Sequence, residues 1–162
     1  MTRLAGWLLD LYEDRREGIV LWLIGEDGLR HRLRQDFPLT FYASGSAQQL
    51  HDLQNLLRRQ VPELELGMEE RRDLFQPLPV PVLAMCTSQP ASQPALFRRI
   101  AGRFPELDYY DADIQLSLRH AARFGTFPLA HCSIRTDGQG AVEDLQVLDS
   151  PWELDPERPP LR

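Results

Sequence analysis

The sequence contains no lysine. All 18 of its basic residues are arginines. The sequence also contains 24 acidic residues, so the formal net charge is −6. A chain with this balance lacks the overall basic character of domains that bind nucleic acid by charge alone. Arginine suits bidentate phosphate contacts better than lysine does, but an arginine-only pattern also follows from genome composition, to which we give more weight. Phosphate contacts are therefore expected to be local at most.

Long apolar runs and paired cysteines are also missing. No apolar stretch approaches the roughly 20 residues that a membrane-spanning helix needs, and the apolar stretch near the N-terminus is too short for a signal peptide. We therefore expect a cytoplasmic protein without membrane contacts. Cys86 and Cys132 stand apart in the sequence, which argues against a disulfide and favours two buried thiols.

Motifs of enzymatic chemistry are absent as well. The glycines are scattered singly and form no phosphate-binding loop, and the histidines at 31, 51, 120 and 131 lack metal-ligand spacing. The one acidic cluster contains Asp111 and Asp113. A strand would place both carboxylates on one face, where they could hold a Mg²⁺ ion; the alternative is a solvated strand end. We expect no catalytic residue, metal site or cofactor in this chain.

What is present is the composition of a folded domain. The chain has 162 residues, of which 43% are hydrophobic and 26% charged, as in soluble globular proteins. Its first third predicts a three-stranded antiparallel meander over residues 7–12, 18–25 and 29–37. The turn Asp27-Gly28 before the third strand is a strong hairpin signal.

The middle of the sequence predicts an alternation of strands and helices. Ser46 is a suitable cap for the first helix, and Ser92 with Pro94 opens the second. Prolines at 77, 79 and 81 indicate an edge position for the strand that they adjoin. The predicted order is strand 39–43, helix 47–60, extended segment 64–74, strand 80–86, a helix burying Leu96, Phe97, Ile100 and Phe104, and strand 107–114. This order is the βαββαβ pattern of ferredoxin-like folds.

The last part predicts a short helix at 116–124 that Gly125 ends, followed by a hairpin at 127–135 and 141–148 that rejoins the opening meander. The expected fold class is α+β. Residues 1–38 and 126–149 form an antiparallel β-rich part, residues 39–125 form a ferredoxin-like insert, and the proline-containing residues 150–162 form a linker.

Three arginine groups could contact phosphates. They are Arg30, Arg32 and Arg34 on one strand face, Arg98, Arg99 and Arg103 on the second helix, and Arg119 and Arg123 one turn apart on the third. Such contacts position a nucleic acid without reading its sequence, and an ordinary solvated face is the alternative. Four aromatic residues fall on predicted central strands: Phe41, Tyr42, Tyr109 and Tyr110. RNA-recognition modules stack bases on such residues, but we expect them in a packed core.

Three stretches, taken in order, carry a resemblance to a known family. They are Leu8-Leu-Asp-Leu-Tyr12 with Phe41-Tyr-Ala43; Arg71-Arg-Asp-Leu-Phe75 with Pro79-Val-Pro-Val-Leu83; and Tyr109-Tyr-Asp-Ala-Asp-Ile114 with Leu116-Ser-Leu-Arg119 and Gly125-Thr-Phe-Pro-Leu129. Together they resemble the N-terminal domain of family B DNA polymerases, both bacterial polymerase-II-like and archaeal.

The resemblance implies a non-catalytic domain that packs against the exonuclease and palm domains and supports template DNA binding. The parent chain would be a DNA-directed DNA polymerase with 3′–5′ exonuclease activity, acting in replication or repair. Its catalytic domains would use Mg²⁺ and would follow the linker.

In archaeal relatives this domain carries a pocket that reads deaminated template bases. Arg119 and Pro90 match that pocket, whereas six positions depart from the archaeal pattern: Glu13, Leu39, Thr40, Gln93, Gln115 and Leu116. The resemblance therefore implies a degenerate pocket and generic template contact. The alternative for Arg119 is a structural ion pair with Asp111 or Asp113.

Two other functions stay open at this point. One is a stand-alone ferredoxin-like module that binds nucleic acid or a protein. The other is a small enzyme that uses a metal held by Asp111 and Asp113.

Overall fold

The computed structural model describes residues 2–149; the predicted linker at 150–162 lies outside the described residues. The fold class is α+β, as predicted, with two antiparallel sheets and three helices. The elements in chain order are β1 (Thr2–Asp14), β2 (Gly18–Gly25), β3 (Arg30–Gln35), β4 (Leu39–Ser44), α1 (Ala47–Gln60), β5 (Glu65–Arg71), β6 (Val80–Thr87), α2 (Gln93–Arg103), β7 (Asp108–Tyr110), α3 (Leu116–Phe124), β8 (His131–Thr136) and β9 (Val142–Val147).

The chain divides into two compact units. The first consists of residues up to 36 and from 114 onward, and the second consists of residues 37–113. The sequence predicts these boundaries after residues 38 and 125, so the structure moves α3 from the insert to the first unit. No helix of residues 2–149 is long and apolar enough to cross a membrane.

The first unit is a five-stranded sheet in the order β3-β2-β1-β8-β9. The closing hairpin β8-β9 joins the opening meander through antiparallel pairing of β1 with β8. The two outer strands also meet at one point, because the backbone N–H of Arg34 donates a hydrogen bond to the carbonyl of Gly140 at 2.9 Å. The sheet is therefore curled, and its inner face is lined by Ile19, Leu21, Leu23 and Ile134, all buried.

Helix α3 belongs to this unit because of His120, which is completely buried. Its Nε2 lies 2.9 Å from Oε1 of Gln35 on β3, and its Nδ1 lies 2.7 Å from the Thr126 hydroxyl. Since the amide oxygen can only accept, Nε2 carries the proton and Nδ1 accepts from Thr126. Burial, with a smaller effect of the Arg123 charge, lowers the pKa of His120 from 6.5 to about 4.

The second unit has the strand order β5-β6-β4-β7, with α1 and α2 packed on one face of the sheet. The chain order of its elements is the predicted βαββαβ. Phe41 of β4 and Met85 of β6 form the core with Leu53 of α1 and Ile100 of α2, and all four are at most 3% exposed.

Helix α1 has the predicted bounds because both of its ends are specified locally. The Ser46 hydroxyl accepts from the N–H of Gln49 while the Gln49 side chain accepts from the N–H of Ser46, which is a reciprocal capping box. Leu50, Leu53 and Leu57 then fall on one face, toward the sheet.

Two strand predictions are wrong. Strand β6 lies between β5 and β4 and not at an edge. A proline is tolerated there because Pro81 pairs only with Glu70 of β5 and lies one residue before the first β4–β6 pair. The missing N–H of Pro81 therefore costs no hydrogen bond to β4. The strand predicted at 107–114 ends at Tyr110, because Asp111 adopts a left-handed φ of 60°.

Replacing Ser46 with alanine removes the hydroxyl of the capping box. We expect the free energy of unfolding to fall by roughly 0.5–2 kcal/mol, measured by urea unfolding. Ser46→Asp, which keeps an acceptor at this position, should match the unsubstituted protein; an equal loss in both variants would contradict the capping role.

His120 should make the protein less stable as the pH falls. Its folded-state pKa lies below the unfolded value, so its contribution is complete above pH 6.5 and is lost progressively down to about pH 4. Between about pH 8 and about pH 5 the loss amounts to about 2 kcal/mol. Urea unfolding of His120→Gln should show a flatter pH profile than His51→Gln, in which an exposed histidine is replaced. Identical profiles would contradict the buried, neutral state of His120.

Candidate nucleic-acid interface

The three arginines of the predicted stripe lie on β3, where strand alternation turns them to one face. Arg30 and Arg32 are exposed and Arg34 is half-buried. The alternate positions, Leu33 and Gln35, are buried. The stripe is therefore displayed on the outer face of the first sheet.

An acidic neighbour pairs with one of these charges. The Arg32 guanidinium donates a hydrogen bond to the Glu17 carboxylate, which raises the pKa of Arg32. A backbone hydrogen bond from Ala141 is the main cause that lowers the pKa of Asp137, and the charge of Arg34 makes a smaller contribution. Arg32 would have to share or leave Glu17 in order to contact a phosphate.

Arg30 combines an exposed position with the absence of an ion-pair partner among the described residues, whereas Arg32 is paired and Arg34 is half-buried. Among residues 2–149 no carboxylate lies within 4 Å of its guanidinium. It is the member of the stripe best placed for a new phosphate contact.

Arg119 is half-buried on the first turn of α3, where its Nε donates to the carbonyl of Ile114 at 3.2 Å. This bond fixes the side chain against the start of its own helix. Its predicted pairing with Asp111 or Asp113 would join two separately described units and stays a prediction.

The residues of the predicted base pocket are divided between the units. In the first unit, Gln115 is exposed, Leu116 is buried and Arg119 lies one turn further along α3, whereas Glu13 is exposed near the end of β1. In the second unit, Leu39 pairs with Thr87 of β6, three residues before the buried Pro90. The union of these residues into one pocket stays a prediction.

Gln93 shows how the second group is held. It is 4% exposed, and its side-chain Nε2 donates to the carbonyl of Ala112 at 2.9 Å. A buried amide needs such a partner, so Gln93 ties the start of α2 to the segment after β7. This is a structural contact for a residue that the sequence assigned to the pocket.

The acidic pair does not lie on a strand, because β7 ends before Asp111. Within residues 2–149 no group of three or more potential ligands is positioned to hold a metal ion. The geometry that the metal-enzyme alternative required, two carboxylates on one strand face, is therefore absent from the described part of the chain.

The four aromatic residues separate into two pairs. Phe41 and Tyr109 point toward the helices, where Phe97 packs edge-on against both rings. Burial raises the pKa of Tyr109 to about 12, and its hydroxyl donates to the carbonyl of Phe104. These two residues confirm the core prediction.

Tyr42 and Tyr110 occupy the alternate positions and therefore face away from the helices. They are half-buried and lie directly opposite each other on β4 and β7. With the segment after β5 they line a pocket of about 340 Å³. For these two residues the core prediction is wrong. Strand alternation alone required one aromatic residue of each adjacent pair to face outward.

A second pocket of about 370 Å³ lies in the first unit, between β1 and α3. It forms where Leu9 shifts the register of β1 against β2, a bulge that leaves Leu9 39% exposed beside Leu118. Bulges often occur next to binding sites. Its lining is mostly apolar and carries no arginine, so it adds nothing to a phosphate interface.

Comparison with known proteins shows a shared fold. No protein-family model and no curated protein matches the sequence. The chain is similar to the structure of the family B DNA polymerase from the hyperthermophilic archaeon Pyrobaculum calidifontis, with a TM-score of 0.62 and 22% sequence identity. The similarity covers 91% of this chain and 21% of that polymerase chain. This chain therefore spans about a fifth of the polymerase, and at this identity the likeness concerns the fold.

Proposed function

We propose that this chain is the N-terminal, non-catalytic domain of a family B DNA polymerase, where it supports template-strand binding and packs against the exonuclease and palm domains. The observation that carries the proposal is the shared fold, which extends over 91% of the chain and both of its units. A chance likeness of one common motif, such as the ferredoxin-like insert, would have covered the second unit alone.

The sequence motifs give a second, independent support. The stretch from Tyr109 to Leu129 is the most specific part of the resemblance. It includes the boundary between residues 113 and 114, where the chain leaves the second unit and enters the first. In it, Gly125 ends α3 with a left-handed φ of 72°, a conformation that glycine adopts without strain. For Gly125, the motif residue is thus the one that this backbone conformation favours.

The arginine stripe supplies the proposed template contact. Arginines on a solvated strand face can bind successive phosphates without reading bases, as a domain that accompanies every template sequence requires. Because the chain carries a net charge of −6, this contact must be local and sensitive to salt.

One observation favours the alternative of a stand-alone nucleic-acid-binding module: the outward-facing pair Tyr42 and Tyr110 on the open face of a four-stranded sheet. The two functions differ in the size of the natural polypeptide and in the activity that accompanies it.

An antibody raised against residues 2–149 should therefore detect, in cells that produce the protein, a polypeptide several times longer than 162 residues. The immunoprecipitate should extend a primer on a DNA template when Mg²⁺ is supplied. Detection of an 18.7 kDa protein without primer-extension activity would contradict the polymerase proposal and support the stand-alone module.

Arg30→Gln should weaken binding of the chain to single-stranded DNA and reduce the salt dependence, with the slope of log K against log salt decreasing by about 0.7 for one lost phosphate contact. Glu17→Gln should strengthen binding, since it releases Arg32. The matched control is Arg58→Gln, which makes the same charge change at an exposed position of α1. Equal slopes for Arg30→Gln and Arg58→Gln, measured by fluorescence anisotropy, would contradict the role of the stripe.

A further inference from the structure

The open face of the second sheet carries a second feature that the arginine stripe does not explain. From its geometry we propose that the pocket beside Tyr42 and Tyr110 binds an unpaired base of single-stranded DNA, stacked on the ring of Tyr42. This site lies within the second unit and is distinct from both the stripe and the predicted base-sensing pocket.

The strand register builds the platform for such a base. Tyr42 and Tyr110 are directly opposite each other, and the same row continues through Ala84 of β6 to Gly67 of β5. The row thus runs from two aromatic rings to two of the smallest residues. The pocket itself is lined by Tyr42 and Tyr110 and, on β6, by Val80 and Val82, so the space for a base lies beside the two rings.

Arg71 shows that the Tyr42 ring offers its face to a planar group. The guanidinium carbon lies over this ring at 5.2 Å from its centre, while Nε donates to Glu69 at 2.8 Å. The Arg71 side chain is 56% exposed, and a cation–π contact at an exposed site is weaker than base–aromatic stacking. A base can therefore replace the guanidinium on the ring, and the displaced arginine is then placed to contact the adjoining phosphate.

The segment after β5 forms one wall of the pocket and is held there by Asp73. The Asp73 carboxylate accepts a hydrogen bond from the Tyr110 hydroxyl at 3.1 Å and another from the backbone N–H of Phe75 at 2.9 Å. Phe75 is 93% exposed. Its ring makes no ring-to-ring contact among the described residues and offers a second stacking surface to a neighbouring base.

The chemistry of the lining favours a nucleotide over an apolar peptide. Arg71 and Arg72 supply positive charge for a phosphate, and the carboxylate of Asp73 can accept from an N–H group of a base edge. The volume of about 340 Å³ lies at the lower end of the range of small-ligand pockets, about 300–1,000 Å³. Duplex DNA is excluded as the ligand, because its bases are already stacked and paired.

The choice of DNA over RNA rests on the proposed function, whereas the proposal of a base-binding pocket does not. The polymerase proposal and the base-binding proposal can therefore fail separately. A protein outside any polymerase could still bind unpaired bases here, and a polymerase domain could leave this face unused.

The experiment measures fluorescence anisotropy of the 162-residue chain with three labelled single strands of equal length at low salt. The strands are oligothymidylate, an abasic deoxyribose-phosphate strand, and oligouridylate. The variants are Tyr42→Ala, Tyr42→Phe, which keeps the ring, and Met68→Ala as the control. Met68 is 49% exposed on the opposite, helix-bearing side of the same sheet. Thermal unfolding establishes that each variant is folded.

We expect oligothymidylate to bind the unsubstituted chain more tightly than the abasic strand. Tyr42→Ala should weaken oligothymidylate binding roughly tenfold or more and leave abasic binding unchanged, while Tyr42→Phe and Met68→Ala stay within about twofold of the unsubstituted chain. Equal binding of thymidylate and abasic strands, no binding at all, or equal effects of Tyr42→Ala and Met68→Ala would overturn the base-binding proposal. Tighter binding of oligouridylate would overturn the choice of DNA.

Discussion

The pairing of β1 with β8 is the constraint on which the rest of the structure depends. It joins strands about 130 residues apart in sequence, with Gly6 opposite Cys132 and Thr2 opposite Thr136, and so makes one sheet from both ends of the described chain. The same stretch of β1 must also approach β2 closely: a side chain at Gly6 would place its Cβ 2.1 Å from the carbonyl oxygen of Ile24. Because residues on both sides of 37–113 belong to the first unit, residues 37–113 are an insertion within it, and they form a self-contained βαββαβ unit.

Elements whose ends are fixed by local chemistry could be read from the sequence. Helix α1 follows from the Ser46 cap and a leucine stripe, and α3 ends where Gly125 supplies the left-handed conformation. Elements whose position depends on residues far away in the chain could not be placed from the sequence. The place of β6 in the sheet is decided by its pairing with β4 and β5, which the neighbouring prolines obscured. The unit to which α3 belongs is decided by the hydrogen bond from His120 to Gln35, 85 residues away in the chain.

The candidate sites, like the fold, could be predicted from the sequence only in part. The alternation of arginines on β3 was visible in the sequence, but the pairing of Arg32 with Glu17 was not, since that contact depends on the turn before β2 folding back onto the sheet. Likewise the sequence shows two adjacent aromatic pairs, and alternation requires one member of each pair to face outward. Which member does so depends on the side of the sheet that the helices cover. The two sites that we propose, one for phosphates and one for a base, are both local features of an acidic chain.

The central claim is that this chain contacts the template strand as part of a polymerase. The most direct measurement is photo-crosslinking of the native polypeptide that contains it to a primer–template whose unpaired template region carries a photoreactive thymidine analogue, followed by identification of the cross-linked peptides. The account predicts cross-links on β3 or on the segment of residues 71–75. Cross-links confined to other parts of the polypeptide, in a complex that extends the primer, would contradict it.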